Sequence, residues 1–119
     1  MKGSALLPQL LRATAARVPD APAVEFGDER VSYARLEAES GRLAAALAAH
    51  GVRRADRVGI WFNKSARSVT SVFAVLKAGG IYVPLDPLSP RARVAAIMRD
   101  CGIRHLITTA PRLASLGEP

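Results

Sequence analysis

The sequence predicts an α/β fold in which βαβ units form a parallel sheet flanked by helices, preceded by an N-terminal helix and a β-hairpin. Three observations point to it. One unit, a helical pattern followed by a glycine stop and a short apolar run, recurs at Gly51, at Gly79-Gly80 and at Gly102. The apolar period changes from helical spacing to continuous runs such as "RVGIWF", which mark strands covered on both faces. Strands that alternate with helices of this length imply right-handed βαβ crossovers. Half of the 119 residues are hydrophobic, which suits one domain with one modest core and argues against disorder.

The elements follow in order. "MKGSALLPQLLRATAARVP" holds basic residues and no acidic ones. A transit peptide has that composition too, but the apolar part is short and broken by Pro8 and Gln9. Leu7, Leu10, Leu11 and Thr14 share one helical face, and the reading is an ordinary amphipathic first helix. Ala23 to Phe26 and Arg30 to Tyr33 are strand-like, with Gly27-Asp28-Glu29 as the turn. Ser32 is the N-cap of a helix from about Tyr33 to His50, with Leu36, Leu43 and Leu47 on one face and Gly51 as its stop. "RVGIWF" is the next strand. Asn63 and Ser65 are candidate caps for a helix whose buried face is Val69, Val72, Phe73 and Leu76. "IYVPL" is the next strand, with Tyr82 to Pro84 read as buried. Ser89 as cap and Pro90 as first helical residue open a helix striped by Val94, Ile97 and Met98. "HLITT" is the last strand, and "APRLASLGEP" carries no regular element in this reading.

Composition limits the function classes. The net charge is +7, with fourteen arginines to three lysines. A basic balance suggests nucleic acid, but only Arg53-Arg54 adjoin, no aromatics interleave to stack bases, and no zinc-finger or basic-zipper spacing occurs. Solvated faces, or an acidic region elsewhere in a longer chain, account for the arginines, and nucleic acid is not an expected partner. No apolar run reaches the length of a membrane span. The single cysteine, Cys101, forms no internal disulfide, so nothing demands an oxidising compartment and the expected location is cytoplasmic.

The candidate motifs are weak one by one. "NKS" at Asn63 to Ser65 sits between strand and helix, where a phosphate loop would, but Asn63 and Val58 stand where that loop needs glycines. Gly79-Gly80 follow a helix and precede a strand, the reverse of the dinucleotide fingerprint. His50 and His105 have no paired ligand or nucleophile in sequence. Cys101, beside Asp100 in a last helical turn, reads as a small buried hydrophobe. The residues therefore offer no catalytic, cofactor-binding or metal site.

As a set the segments say more. "LKAGGIYVPLDP" resembles a core motif of the AMP-forming adenylating enzymes, the superfamily of acyl-CoA synthetases, peptide-synthetase adenylation domains and luciferases. Leu76, Lys77, Ala78, Gly79, Tyr82, Val83, Pro84 and Asp86 match the peptide-synthetase form, and Ile81 and Leu85 depart conservatively. Ser32, Tyr33 and Leu36 resemble a second, earlier family segment, and "DRVGIWFNKS" and "RDCGIRHLITT" keep the family's order. The resemblance implies that residues 1–119 are the N-terminal part of an AMP-binding (adenylation) domain, stopping before its phosphate-binding loop. The whole enzyme would use ATP and Mg to activate an amino acid or other carboxylate as an acyl adenylate. It would pass the acyl group to CoA or a phosphopantetheine carrier. None of the family's catalytic or ATP-binding residues maps onto this chain, and Lys77 is not the family's catalytic lysine. The implied partners are the missing C-terminal part of such an enzyme or a carrier protein, with self-association as a further expectation. The alternative is a non-catalytic α/β interaction module that docks on an adenylating enzyme or carrier protein.

Overall fold

The computed structural model describes residues 2–116. Its order is α1 (Lys2–Arg17), β1 (Pro22–Phe26), β2 (Glu29–Ser32), α2 (Tyr33–Ala49), β3 (Arg57–Trp61), α3 (Ala66–Lys77), β4 (Ile81–Pro84), α4 (Arg91–Asp100), β5 (His105–Thr108) and α5 (Ala110–Leu116). β1 and β2 form the antiparallel hairpin, and β4-β3-β5 form a parallel sheet in that order. The α/β class, the parallel strands and the leading helix and hairpin are as the sequence predicts.

Local chemistry sets the boundaries. Phe26 pairs with Glu29, so the hairpin loop is only Gly27-Asp28 and Glu29 belongs to the strand. Gly27, at φ +59°, is the first central residue, the placement a type II′ turn favours. Ser32 caps α2 by accepting from the Arg35 N–H at 3.1 Å. The three helix stops hold positive φ: Gly51 at +96°, Gly79 at +82° and Gly102 at +66°. α4 begins one residue later than expected. Pro90, extended at φ −63° and ψ 152°, is its cap position, and Ser89 precedes it.

Two apolar clusters sit on opposite faces of the parallel sheet. Val58, Ile60 and Val75 pack with Val72 and Ile107 on the α3 side. Trp61, Leu85 and Val94 pack with Val83, Leu106, Ile97 and Met98 on the α4 side. A third cluster, Leu11, Val31, Leu36 and Ala66, ties α1 and the hairpin to α2 and α3.

Four expectations are corrected. In α1 only Leu11 of the expected face is buried; Leu7 and Leu10 are exposed, because the helix packs through the narrower stripe Pro8, Leu11 and Ala15. In α3 the buried residues are Ala66, Thr70, Ser71, Ala74 and Val75, while Val69, Val72, Phe73 and Leu76 are half-buried. This helix is wedged between α1, α2 and the sheet, so small side chains mark its closest approaches. β4 is not a buried strand: Ile81 is 49% and Tyr82 41% exposed, because β4 lies at the sheet edge. "APRLASL" is helical as α5, its alanines and leucines favouring that state, with Pro111 in the first turn where a missing N–H costs nothing. The final residues 117–119 of that segment lie outside the described residues.

Candidate functional site

The turn at Asn63–Ser65 is where a strand feeds a helix N-terminus, an anion-favouring end. Here that end is already occupied. The Glu29 carboxylate reaches across from the hairpin and accepts from the Ala66 N–H at 3.2 Å. The Ser65 N–H donates to the Ser68 hydroxyl at 3.1 Å, and that hydroxyl donates back to the Ser65 carbonyl at 2.7 Å. Asn63 does not cap the helix; its Oδ1 lies 3.4 Å from Arg112 Nη2. A triphosphate would have to displace a carboxylate, and Lys64 stands exposed beside a turn without glycine. These residues do not fit a nucleotide cradle. Among the described residues no three His, Cys, Asp or Glu side chains converge as a metal site.

The carboxyl ends of the three parallel strands are the edge where open α/β sheets place ligands. A network ties them together. Trp61 Nε1–H donates to the Asp86 carbonyl at 3.2 Å, and the Thr108 hydroxyl donates to the Trp61 carbonyl. Arg112 stacks its guanidinium 5.0 Å from the centre of the Trp61 ring and donates to the Pro87 carbonyl at 2.9 Å. The Asp86 carboxylate accepts from the Leu88 N–H at 2.9 Å, closing the turn of "LDPLSP". The aspartate of the motif thus shapes a turn. The network had one sequence signal, the lone tryptophan; its arginine partner lies in "APRLASLGEP", for which the sequence reading gives no regular element.

Beside it, the α3 face of the sheet is only partly covered. A gap remains between the N-terminal half of α3 and the outer end of β4. The result is an apolar groove of about 560 Å³ lined by Phe26, Phe62, Val69, Val72, Tyr82 and Leu85, with Lys64 at its rim. Its walls are apolar and nearly free of polar groups that could orient a small ligand, so it is suited to packing.

Several other titratable groups tie elements together or bond to nearby backbone. Lys77 on α3 donates to Glu37 Oε1 at 2.8 Å and to the Glu37 carbonyl at 3.0 Å, pinning α3 to α2. The half-buried His105 has a neighbour that sequence spacing hid: Asp56 Oδ2 lies 3.7 Å from its Nε2. His50 sits at the end of α2 with Nδ1 2.9 Å from the Ala46 carbonyl oxygen. Cys101 is exposed, contrary to expectation, because it occupies the C-cap of α4 on the outer side of that helix. Glu39 accepts from Arg35 Nε at 2.8 Å and raises the guanidinium pKa further.

A family model described as AMP-binding enzyme matches residues 11–118. Tyrocidine synthase 2 of Brevibacillus parabrevis is 41% identical over 108 residues, which is 91% of this chain and 3% of the synthase. Among solved structures, the nonribosomal peptide synthetase FmoA3 bound to α-methyl-L-serine-AMP matches with a TM-score of 0.88 at 35% identity. That match covers 96% of this chain and 13% of FmoA3. The N-terminal subdomain of Klebsiella oxytoca NpsA matches at 0.75 and 27% identity, over 87% of this chain and 28% of that one. The chain therefore spans a small share of the length of each relative. No helix among the described residues is long and apolar enough to cross a membrane.

Proposed function

The chain belongs to the AMP-binding enzyme family, and on that footing we propose that it is the N-terminal part of an adenylation domain. The complete domain activates an amino acid or other carboxylate with ATP and Mg, releasing pyrophosphate, and then hands the acyl group of the adenylate to the thiol of a carrier protein or CoA, with AMP as the leaving group. In this proposal the present chain supplies no catalytic, nucleotide-binding or metal-binding residue. It contributes part of the scaffold against which the rest of the domain packs.

The observation that carries the reading is the family match across residues 11–118 together with relatives that are peptide synthetases. The geometry supports a scaffold role: the strand-to-helix turn at Asn63–Ser65, where a phosphate loop would sit, is held by Glu29. The exposed groove around Tyr82 supports a packing partner, and in its absence self-association. The same groove also favours the second reading, a non-catalytic docking module.

Pyrophosphate exchange separates the readings. The purified chain alone should exchange no pyrophosphate into ATP with any carboxylate. Supplying the portion of an adenylation domain that follows the matched segment should restore exchange. Robust exchange by this chain alone would place the active site here and overturn the proposal.

A further inference from the structure

We propose that the edge at the N-terminal ends of the parallel strands is a docking face for an acidic polypeptide segment, held by Arg53, Arg54, Arg57 and Arg104. This edge is the opposite end of the strands from the Trp61 network, so the docking is independent of the adenylation reading.

The fold gathers at this edge what the sequence scatters. β3, β4 and β5 start together, with Arg57 opposite Ile81 and Val58 opposite His105. The segments that lead into them bring five of the fourteen arginines to one edge: Arg53, Arg54, Arg57, Arg99 and Arg104. All five are exposed. The loops are fixed to one another. The Ala55 N–H donates to the Gly79 carbonyl at 2.7 Å, and Arg57 Nη1 donates to the Cys101 carbonyl. Arg54 lies against Gly79 on the β4 side and Arg104 leads into β5, so the two stand about 10 Å apart, two strand spacings across the order β4-β3-β5.

Two carboxylates share the edge. Asp56 is committed: its Oδ2 accepts from the Arg53 N–H at 2.8 Å and lies 3.7 Å from His105 Nε2. Asp100 comes within 4.0 Å of Arg99. Arg53, Arg54, Arg57 and Arg104 make no ion pair among the described residues. The C-terminal ends of α2, α3 and α4 meet here and favour cations. That role suits Arg57, which bonds to the C-cap carbonyl of α4. It leaves the side chains of Arg54 and Arg104, which bond to no carbonyl among the described residues, free for a partner.

The surroundings say which partner fits. A cleft of about 280 Å³ opens between Arg57, Cys101, Arg104 and His105. It has room for a carboxylate side chain, and a guanidinium meets a carboxylate with paired N–H donors. A nucleic-acid backbone fits less well. No aromatic side chain lines the cleft to stack a base, and its phosphates would face two carboxylates and three negative helix ends. The acid must also come from another polypeptide. Glu25, Glu37 and Glu39 already pair with Arg30, Lys77 and Arg35, and Glu29 caps α3.

A fluorescein-labelled oligoglutamate peptide, titrated with the purified chain and read by anisotropy, tests this. It should bind at low ionic strength and weaken as added salt shortens the Debye length to about 8 Å at about 0.15 M. Arg54→Glu combined with Arg104→Glu should weaken binding by about tenfold or more. Arg12→Glu combined with Arg42→Glu, at exposed positions of α1 and α2, changes the net charge equally and should weaken it by less than about threefold. Equal losses in the two pairs would show net charge acting without a face and overturn the proposal, as would absence of binding at low salt. Duplex DNA that displaces the peptide at an equal concentration of charge would assign the edge to nucleic acid, which also overturns it. Amide chemical shifts of the unaltered chain guard against a variant that fails to fold. The peptide should move those of residues 53–57 and 101–105 and leave those of the hairpin in place. Shifts confined to α1 or the hairpin would overturn the proposal whatever the variants do.

Discussion

At the scale of single residues, backbone geometry makes the sharpest predictions. Gly102 ends α4 at φ +66° with open space where a Cβ would stand. Gly102→Val should therefore cost only backbone strain, about 1 kcal/mol or more, with no packing component. Gly80 is the contrast. An added Cβ there would lie 3.0 Å from the Asp56 carbonyl oxygen and 3.2 Å from Val75 Cγ1. Gly80→Ala should cost about 1–3 kcal/mol through crowding, because the carbonyl belongs to the ladder and cannot yield. Ala55 is the non-glycine residue at positive φ, +69°, among the described residues. Ala55→Gly should be neutral or stabilising by up to about 1 kcal/mol, as relieved strain offsets the looser unfolded chain. Urea unfolding with an unchanged slope checks all three. The glycine stops were legible because the left-handed region singles out glycine. Ala55 was not, since nothing in its sequence context marks a strained alanine.

At the scale of elements, what was misread is what tertiary contacts decide. The sequence shows a helix at α3 but not that a carboxylate 37 residues earlier caps it. Glu29→Ala should lower stability by about 1 kcal/mol, as loss of a cap does, and Glu29→Gln should lose less because its amide oxygen still accepts. Thermal unfolding of the two variants measures the difference. Lys77 was legible as a favourable charge at the end of α3, yet its larger role is the bond to Glu37 on α2, 40 residues away. Lys77→Ala should cost about 1–3 kcal/mol, and combining it with Glu37→Ala should cost less than the sum, which a double-mutant cycle reads directly. The faces of α1 and α3 were misassigned for one reason. Periodicity identifies an apolar stripe, but which part of it a neighbour covers depends on how helices cross. Small residues such as Ala15, Ala74 and Ser71 win the tight crossings because they are small, and hydrophobicity alone does not rank them.

At the scale of the molecule, the α/β class and the strand count follow from the changing apolar period, whereas strand order does not. Pro84 in "IYVPL" marks the end of regular strand pairing, but the strand's place at the edge and its exposure came only with the structure. At Asn63–Ser65 the missing glycines argue against a phosphate loop, and the structure adds a carboxylate that no local motif foretold. The charge makes a global prediction. With arginines dispersed over the surface, duplex DNA should bind weakly and lose nearly all affinity between about 50 and 200 mM salt, read by fluorescence anisotropy. Nanomolar, sequence-selective binding at physiological salt would show a nucleic-acid function instead. The order β4-β3-β5 has a temporal consequence as well. The central strand is made first, and Thr108, which closes the ladder against Trp61, follows it by 47 residues. On a ribosome adding about 5–20 residues per second, β3 waits several seconds for its second neighbour. Through that interval Val58, Ile60 and Trp61 have only the helices already made to shield them. Nascent chains halted before β5 should thus recruit chaperones more strongly than those halted after it.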